Sequence, residues 1–261
     1  DYFREDLSYS QAVLSYIVSG AIRLANRKGA TFPSKTDRTN GYLSKSHVLP
    51  EPHTMLVHTS HKITDHFMAA GAMIQAMHTH LKTGKNITVN DDADALKEWS
   101  KLQTLLIKST KTKLKMFQDW YDQFQISTTS VRIDSPGTKK LPPWKDVSKR
   151  LEEVISNIDL RIVNSSTNSE NLLYDVADIK IGGADKQSIP QDIYPLVISG
   201  NKMGRGITLD GLTTTFFDRH PKMKVHDTII QRQRWFGYHG ERIGLVRIFC
   251  REQEWDILRA I

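Results

Sequence analysis

The chain has 261 residues, 39% hydrophobic and 25% charged, enough apolar material for one large core or two small ones and too much for a disordered chain. Its 36 Lys and Arg against 29 Asp and Glu leave a net charge of +7, a moderate basic excess that suits a polyanionic partner. One cysteine, Cys250, excludes an internal disulfide and a multi-thiolate metal site, and no apolar run reaches the ~18 residues of a membrane span, so a reducing, cytoplasmic setting without a membrane is expected.

Ser8 with Gln11 three positions on carries the signature of a capping box, and Val13, Ile17, Gly20 and Leu24 then recur at helical spacing up to Gly29. Arg23, Arg27 and Lys28 crowd the end of this helix, where the dipole favours cations, and are expected to face solvent. Residues 31–52 are polar and broken by Pro33, Gly41, Pro50 and Pro52, a loop. The run from Thr54 to Ser60 reads as a buried strand, and Ile63, Phe67, Ala70, Ile74, Met77 and Leu81 then mark a helix ending at Gly84.

His58, His61, His66, His78 and His80 lie near one another in sequence, yet the spacing argues against a metal site. Two zinc-binding histidines on a helix sit four apart with a base between them, whereas His61 and His66 are five apart with no Glu.

Residues 91–124 form a further helical stretch, capped by Asp91 or Asp92, with Leu96, Trp99, Leu102 and Leu106 and then Phe117, Tyr121 and Phe124 at core spacing. Lys101, Lys108, Lys111, Lys113 and Lys115 have no acid among them. Such a face either tracks nucleic-acid phosphates or is simply solvated, and Lys108, Lys111 and Lys113 are the candidates for the first role. Residues 126–143 turn to Ser, Thr, Gly, Pro and Lys, the composition of a linker. Pro143 opens another helix carrying Trp144, Val147, Leu151, Val154 and Ile158, with strands expected at 159–164 and 176–181.

The last quarter is the densest in signals. Pro195-Leu-Val-Ile-Ser-Gly200 is a strand into a glycine-punctuated turn, Asn201-Lys-Met-Gly-Arg-Gly-Ile-Thr208. A second strand runs through Thr213 to Asp218, an arginine-rich helical pattern holds Gln231-Arg-Gln-Arg-Trp-Phe-Gly-Tyr238, and Gly244 to Cys250 is a third strand. Short apolar runs joined by helical crossovers predict a parallel sheet, whose ligand edge lies at the carboxyl ends of the strands. Gly204 and Gly206 let the backbone approach a ligand there, and Arg205 is a fork either for a phosphate or for Asp210 or Asp218.

Ser199-Gly-Asn-x-x-x-Arg-Gly-Ile-Thr-Leu-Asp-Gly-Leu212, the Asp218-Arg219 strand end and Gln231-x-x-Arg-Trp-Phe-Gly-Tyr238 resemble the Z1 domain, found in helicase-linked proteins described as endonucleases of bacteria and their viruses. Gly-Arg-Gly-Ile-Thr and the Gln231 to Arg234 word also resemble motifs five and six of superfamily-two helicases. The resemblance is strong over the last quarter and looser over the first helix and Met55 to Ser60.

It implies an α/β fold, a RecA-like, mostly parallel sheet flanked by helices, with 1–84 and 143–261 as one helicase-type lobe and 85–142 as a helical insertion and linker. The chain begins without Met and stops inside the pattern Trp255, Leu258, Ile261, so it is expected to be a piece of a larger protein. By resemblance, Gly204, Arg205, Gly206 and Asp210 would face ATP. Arg234 would be an arginine finger with Gln231 on its face of the helix and Arg232 beside it on another, and Thr59 or Ser60, unless serving only as a helix cap, would touch DNA backbone.

ATP and magnesium would bind only together with an N-terminal ATPase lobe, because no Gly-x-x-x-x-Gly-Lys-Ser/Thr loop and no magnesium-holding acidic strand end occur here. The expected partners are DNA, that lobe and other proteins of a restriction-like or phage-defence system. His239 stands where the family pattern tends to have arginine, with Arg242 nearby. No strand offers the Asp and Glu-x-Lys carboxylate set of a metal-dependent nuclease. A non-catalytic docking module that keeps the fold is the alternative.

Overall fold

A computed structural model describes residues 8–27, 29–32, 42–43, 50–84, 86–134, 139–164, 176–181, 186–190, 193–200, 209–218, 240–252 and 255–256. Helix α1 (Tyr9–Asn26) leads to a short strand β1 (Tyr42–Leu43), then β2 (Thr54–His58) and α2 (Ile63–His80). Helices α3 (Asp92–Thr112), α4 (Leu114–Asp134), α5 (Trp144–Ser148) and α6 (Leu151–Ser156) follow. Strands β3 (Ile158–Val163), β4 (Val176–Ile181), β5 (Lys186–Pro190), β6 (Tyr194–Ser199) and β7 (Leu212–Phe217) come next, and a 3-10 helix (Gly240–Leu245) precedes β8 (Arg247–Phe249).

Five strands form one all-parallel sheet in the order β3-β6-β2-β7-β8, the α/β arrangement of a RecA-like fold. β1, β4 and β5 make a small second sheet, in which β4 pairs antiparallel with β5. Because β2 connects toward β3 while its neighbour β7 connects toward β8, the chain reverses direction across the sheet between them. In open α/β sheets ligands bind outside the carboxyl ends of the strands at a reversal of this kind.

Apolar residues alternate along the strands, and both faces of the sheet are buried. Met55, Val57, Leu160, Leu196, Ile198 and Phe216 join the main core with all six helices, while Leu56, Val163, Val197, Leu212 and Phe217 form a second cluster on the other face. An extra residue in β7 opposite the Thr54–Met55 step shifts the register, so Leu212 and Phe217 point to one face although they are five positions apart.

Helix α1 is the hub. It packs against α2, α4, α5, α6, β7 and β8, and every residue from Ala12 to Leu24 is buried, including Ser15, Ser19 and Arg23. The expected capping box does not form. Ser8 makes no side-chain cap, and the Gln11 carboxamide oxygen instead accepts from Trp120 Nε1 at 2.9 Å, tying α1 to α4. Small residues allow this crowding: a Cβ on Gly20 would lie 2.8 Å from the Tyr194 ring.

The long helical stretch is two helices, broken at Lys113, whose φ of −132° and ψ of 39° leave the helical region. Asp91 caps the first by accepting from Asp94 N at 2.8 Å. Phe117, Tyr121 and Phe124 are core residues. The linker composition after Ile126 misleads, because α4 continues to Asp134. Ser127 and Ser130 return their hydroxyls to carbonyls four residues back, and Ser127 also donates to Gly244 O at 3.2 Å, so polar residues here fasten the 3-10 helix. No helix among the described residues is long and apolar enough to cross a membrane.

Helix α3 is clamped to β3 by polar contacts. Trp99 Nε1 donates to Ile158 O at 3.2 Å, and Gln103 Nε2 donates to the same carbonyl at 2.8 Å and to Ile155 O at 2.9 Å. Because Gln103 still serves Ile158 O, Trp99→Phe is expected to cost only about 1 kcal/mol in urea unfolding, while Gln103→Leu, which removes bonds to two carbonyls at once, costs more. Equal losses would show that the indole bond, not the shared carbonyl, holds the clamp.

Candidate functional site

Three strands end together at the carboxyl edge. Thr59 N donates to Ser199 O at 2.9 Å and Asp218 N donates to His58 O at 2.9 Å, so the turn after β2 lies between the ends of β6 and β7. Gly200 touches that turn so closely that a Cβ would lie 2.0 Å from Ser60 O. Glycine is required here by the approach of two backbones. The edge is buffered from below by His66, whose Nε2 donates to Ser60 O at 2.9 Å; burial, opposed by that bond and by Asp65, lowers its pKa.

The Ser60 hydroxyl is committed internally, accepting from Lys62 N at 3.0 Å and donating to the Asp65 carboxylate. Thr59 is buried, and its hydroxyl turns to Ser60 O at 3.3 Å. At the end of β7, Tyr9 stacks on Phe216 with ring centroids 4.2 Å apart and hydrogen-bonds Asp218. Burial first, and then the Asp218 charge and that bond, push the Tyr9 phenol far up. The turn thus presents the carboxylates of Asp65 and Asp218, a charge pattern that by itself does not fit a triphosphate.

Gly204, Arg205 and Gly206, and Gln231, Arg232 and Arg234, lie outside the described residues. Asp210 sits at the opposite edge. It precedes β7, and its carbonyl accepts from Thr54 Oγ1 at 2.6 Å at the amino ends of the strands.

Among the lysines, Lys108 is exposed, Lys111 faces Glu152 at 3.7 Å, and Lys113 donates to Leu81 O at the end of α2. The break at Lys113 therefore divides the basic run between an open helix face and a helix-end cap. The histidines are occupied as packing and hydrogen-bonding groups: His58 is buried against the Phe217 ring, and His78 Nδ1 pairs with Thr83 Oγ1 at 2.7 Å. Among the described residues no three of His, Cys, Asp and Glu converge in a way that suits a metal ion.

Sequence reasoning missed His53, which is fully buried at the amino edge. Its Nδ1 accepts from Arg23 Nη1 at 2.9 Å, leaving the proton on Nε2, which donates to Tyr16 O at 2.8 Å; the Tyr16 ring stacks on it at 4.6 Å. Burial, then the Arg23 charge, holds its pKa well below the ordinary value. Arg23, expected in solvent, is therefore a buried cation. Nothing in a lone histidine after Pro52 signals this, because its side-chain partners come from α1, β6 and β7, all distant in sequence.

A model of the family described as Z1 domain matches residues 8–261. No curated protein matches the chain, and no solved structure does.

Proposed function

The chain belongs to the Z1 domain family, and from that premise we propose that it is the second lobe of a DNA-dependent ATPase, helicase-like, serving a restriction-like or phage-defence system. One observation carries the reading. The Thr59-Ser60 turn, Gly200 and Asp218, each part of a family-like word, meet at the carboxyl edge of one parallel sheet, the edge at which such sheets take ligands.

In this reading ATP and magnesium bind between this lobe and an N-terminal one. Gly204 and Gly206 bring backbone to the phosphates, Arg205 and Arg234 neutralise them, Gln231 and Arg232 orient the helix that carries Arg234, and the turn faces DNA backbone. The nucleotide, when bound, supplies the leaving phosphoryl group; this lobe supplies positive charge and position. Because the chain has no Gly-x-x-x-x-Gly-Lys-Ser/Thr loop and no magnesium-holding acidic strand end, the lobe alone is expected not to hydrolyse ATP, and robust phosphate release by the 261-residue chain would sink the assignment.

DNA contact has its own test. Binding is expected to be weak, indifferent to sequence and steeply weakened by salt, with a slope that drops by about 0.9 for each phosphate contact removed. Lys108→Gln should flatten that slope more than Lys113→Gln, since the Lys113 ammonium already caps α2. DNA binding with a slope indifferent to both moves the contact off α3. No DNA binding at all favours the docking module, which the internal commitment of Ser60 to Asp65 supports.

A further inference from the structure

At the amino edge, away from Thr59 and Gly200, a cavity of about 250 Å³ opens between the end of α1, α4 and the 3-10 helix. Among the described residues its wall carries four cationic side chains, Arg23, Arg27, Lys139 and Arg242, against one carboxylate, Glu51. Three guanidiniums close on that carboxylate: Arg23 at 3.5 Å, Arg27 at 3.4 Å, and Arg242 in direct contact. One charge cannot balance three. The excess is felt by Arg23, whose pKa is lowered by burial first and by Arg242 next.

The cationic groups are fixed by the fold. Arg23, with only 6% of its side chain exposed, is bonded to His53, and its Nη1 points to Gly211 O at 3.5 Å. Arg242 is delivered by the 3-10 helix, which is locked to α4 where Gly244 lies against Thr128, so closely that a Cβ would sit 2.7 Å from the Thr128 hydroxyl. Two polar atoms of residues lining this cavity, Arg23 Nε and Thr128 Oγ1, are buried with no hydrogen-bond partner.

We propose that this cavity binds a phosphate group, for which Glu51 competes with the same guanidiniums. Arginine forks suit phosphate oxygens, and a tetrahedral anion takes donors from several directions at once where the planar Glu51 carboxylate takes fewer. The volume is just below the ~300–1,000 Å³ of pockets for larger ligands and suits one phosphate with a sugar-sized attachment. The site lies at the opposite edge of the sheet from the proposed nucleotide site and does not depend on that reading.

Calorimetric titration of the full chain at low salt with inorganic phosphate tests it. Saturable binding is expected, tightened about tenfold by Glu51→Gln, which removes the competing charge, and weakened about tenfold by Arg242→Ala. A purely structural ion cluster gives a different result: Glu51→Gln then lowers the melting temperature and no phosphate binds. Unchanged affinity in both variants, or weaker binding by Glu51→Gln, overturns the proposal. Should Glu51→Gln fail to fold, Arg27→Ala and Arg242→Ala, at half-exposed positions, must both weaken binding or the proposal fails. Oligonucleotides with and without a 5′-phosphate identify the source. Preference for the phosphorylated end assigns the group to nucleic acid, and phosphate binding without that preference assigns it to a small ligand; either upholds the site.

Discussion

Replacing Gly211 by alanine is expected to destabilise the protein by about 2–5 kcal/mol, the sum of left-handed strain and overpacking. Gly211 has φ of 67°, and a Cβ there would lie 1.8 Å from Pro52 O and 2.4 Å from Pro52 C, backbone atoms with no rotamer to escape into. Its carbonyl also accepts from Thr54 N at 2.9 Å, so any shift spreads into the start of β2. Gly84 is the control: its φ is 57°, but nothing lies within 4 Å of its Cβ position. Gly84→Ala should therefore cost only the strain, about 1–2 kcal/mol. Urea unfolding followed by circular dichroism separates the two, and equal losses would mean that the Gly211–Pro52 contact yields easily.

Acid should unfold this protein early. His53 is neutral in the fold because protonation would place a second cation against Arg23 in a fully buried site. Its folded pKa is depressed, so as pH falls through about 6.5 the unfolded chain takes up a proton that the folded chain refuses. Stability is then full above about pH 6.5 and declines below it at up to about 1.4 kcal/mol per pH unit, until the folded pKa is reached. His66 and His80, lowered chiefly by burial, act in the same direction. His53→Gln should be less stable at pH 7.5, where the ring stack and bonds are lost, yet flatter between pH 7 and 5. Parallel curves for the two proteins would mean that His53 accepts a proton in the fold.

Strands were legible where the side chains alone decide. The apolar runs from Thr54, Asp159, Val176, Pro195 and Thr213 all became strands, because each is buried or paired along its length, while Ile158, expected to close the preceding helix, instead opens β3. β5 was not legible: Lys-Gln-Ser-Ile-Pro has one strong strand former, and its pairing with β4 comes from tertiary context. The periodicity of α1 pointed to a helix with one buried face, but Ser10, Ser15, Ser19 and Arg23 bury the others, and polar residues carry no such warning when their partners are remote. The serines and threonines after Ile126 likewise look like linker until Gly244 and Arg247 are brought to them. Of the candidate site, the turns at the carboxyl edge were readable as strand ends followed by Ser or Gly. The basic cavity was not, since Arg23, Glu51, Lys139 and Arg242 share no local pattern.

The central position of α1 also bears on how the protein is made. Tyr16 donates to Pro195 O, 179 positions along the chain, and Arg23 reaches Gly211 O, 188 positions along. At ~5–20 residues per second, synthesis takes roughly ten to forty seconds to supply those partners. For that time the most deeply buried helix of the described residues has no sheet to cover it, and closing loops of this length is slow even when the whole chain is present. Nascent chains should therefore hold α1 exposed until β7 leaves the ribosome, which makes this segment a natural target for a chaperone during synthesis.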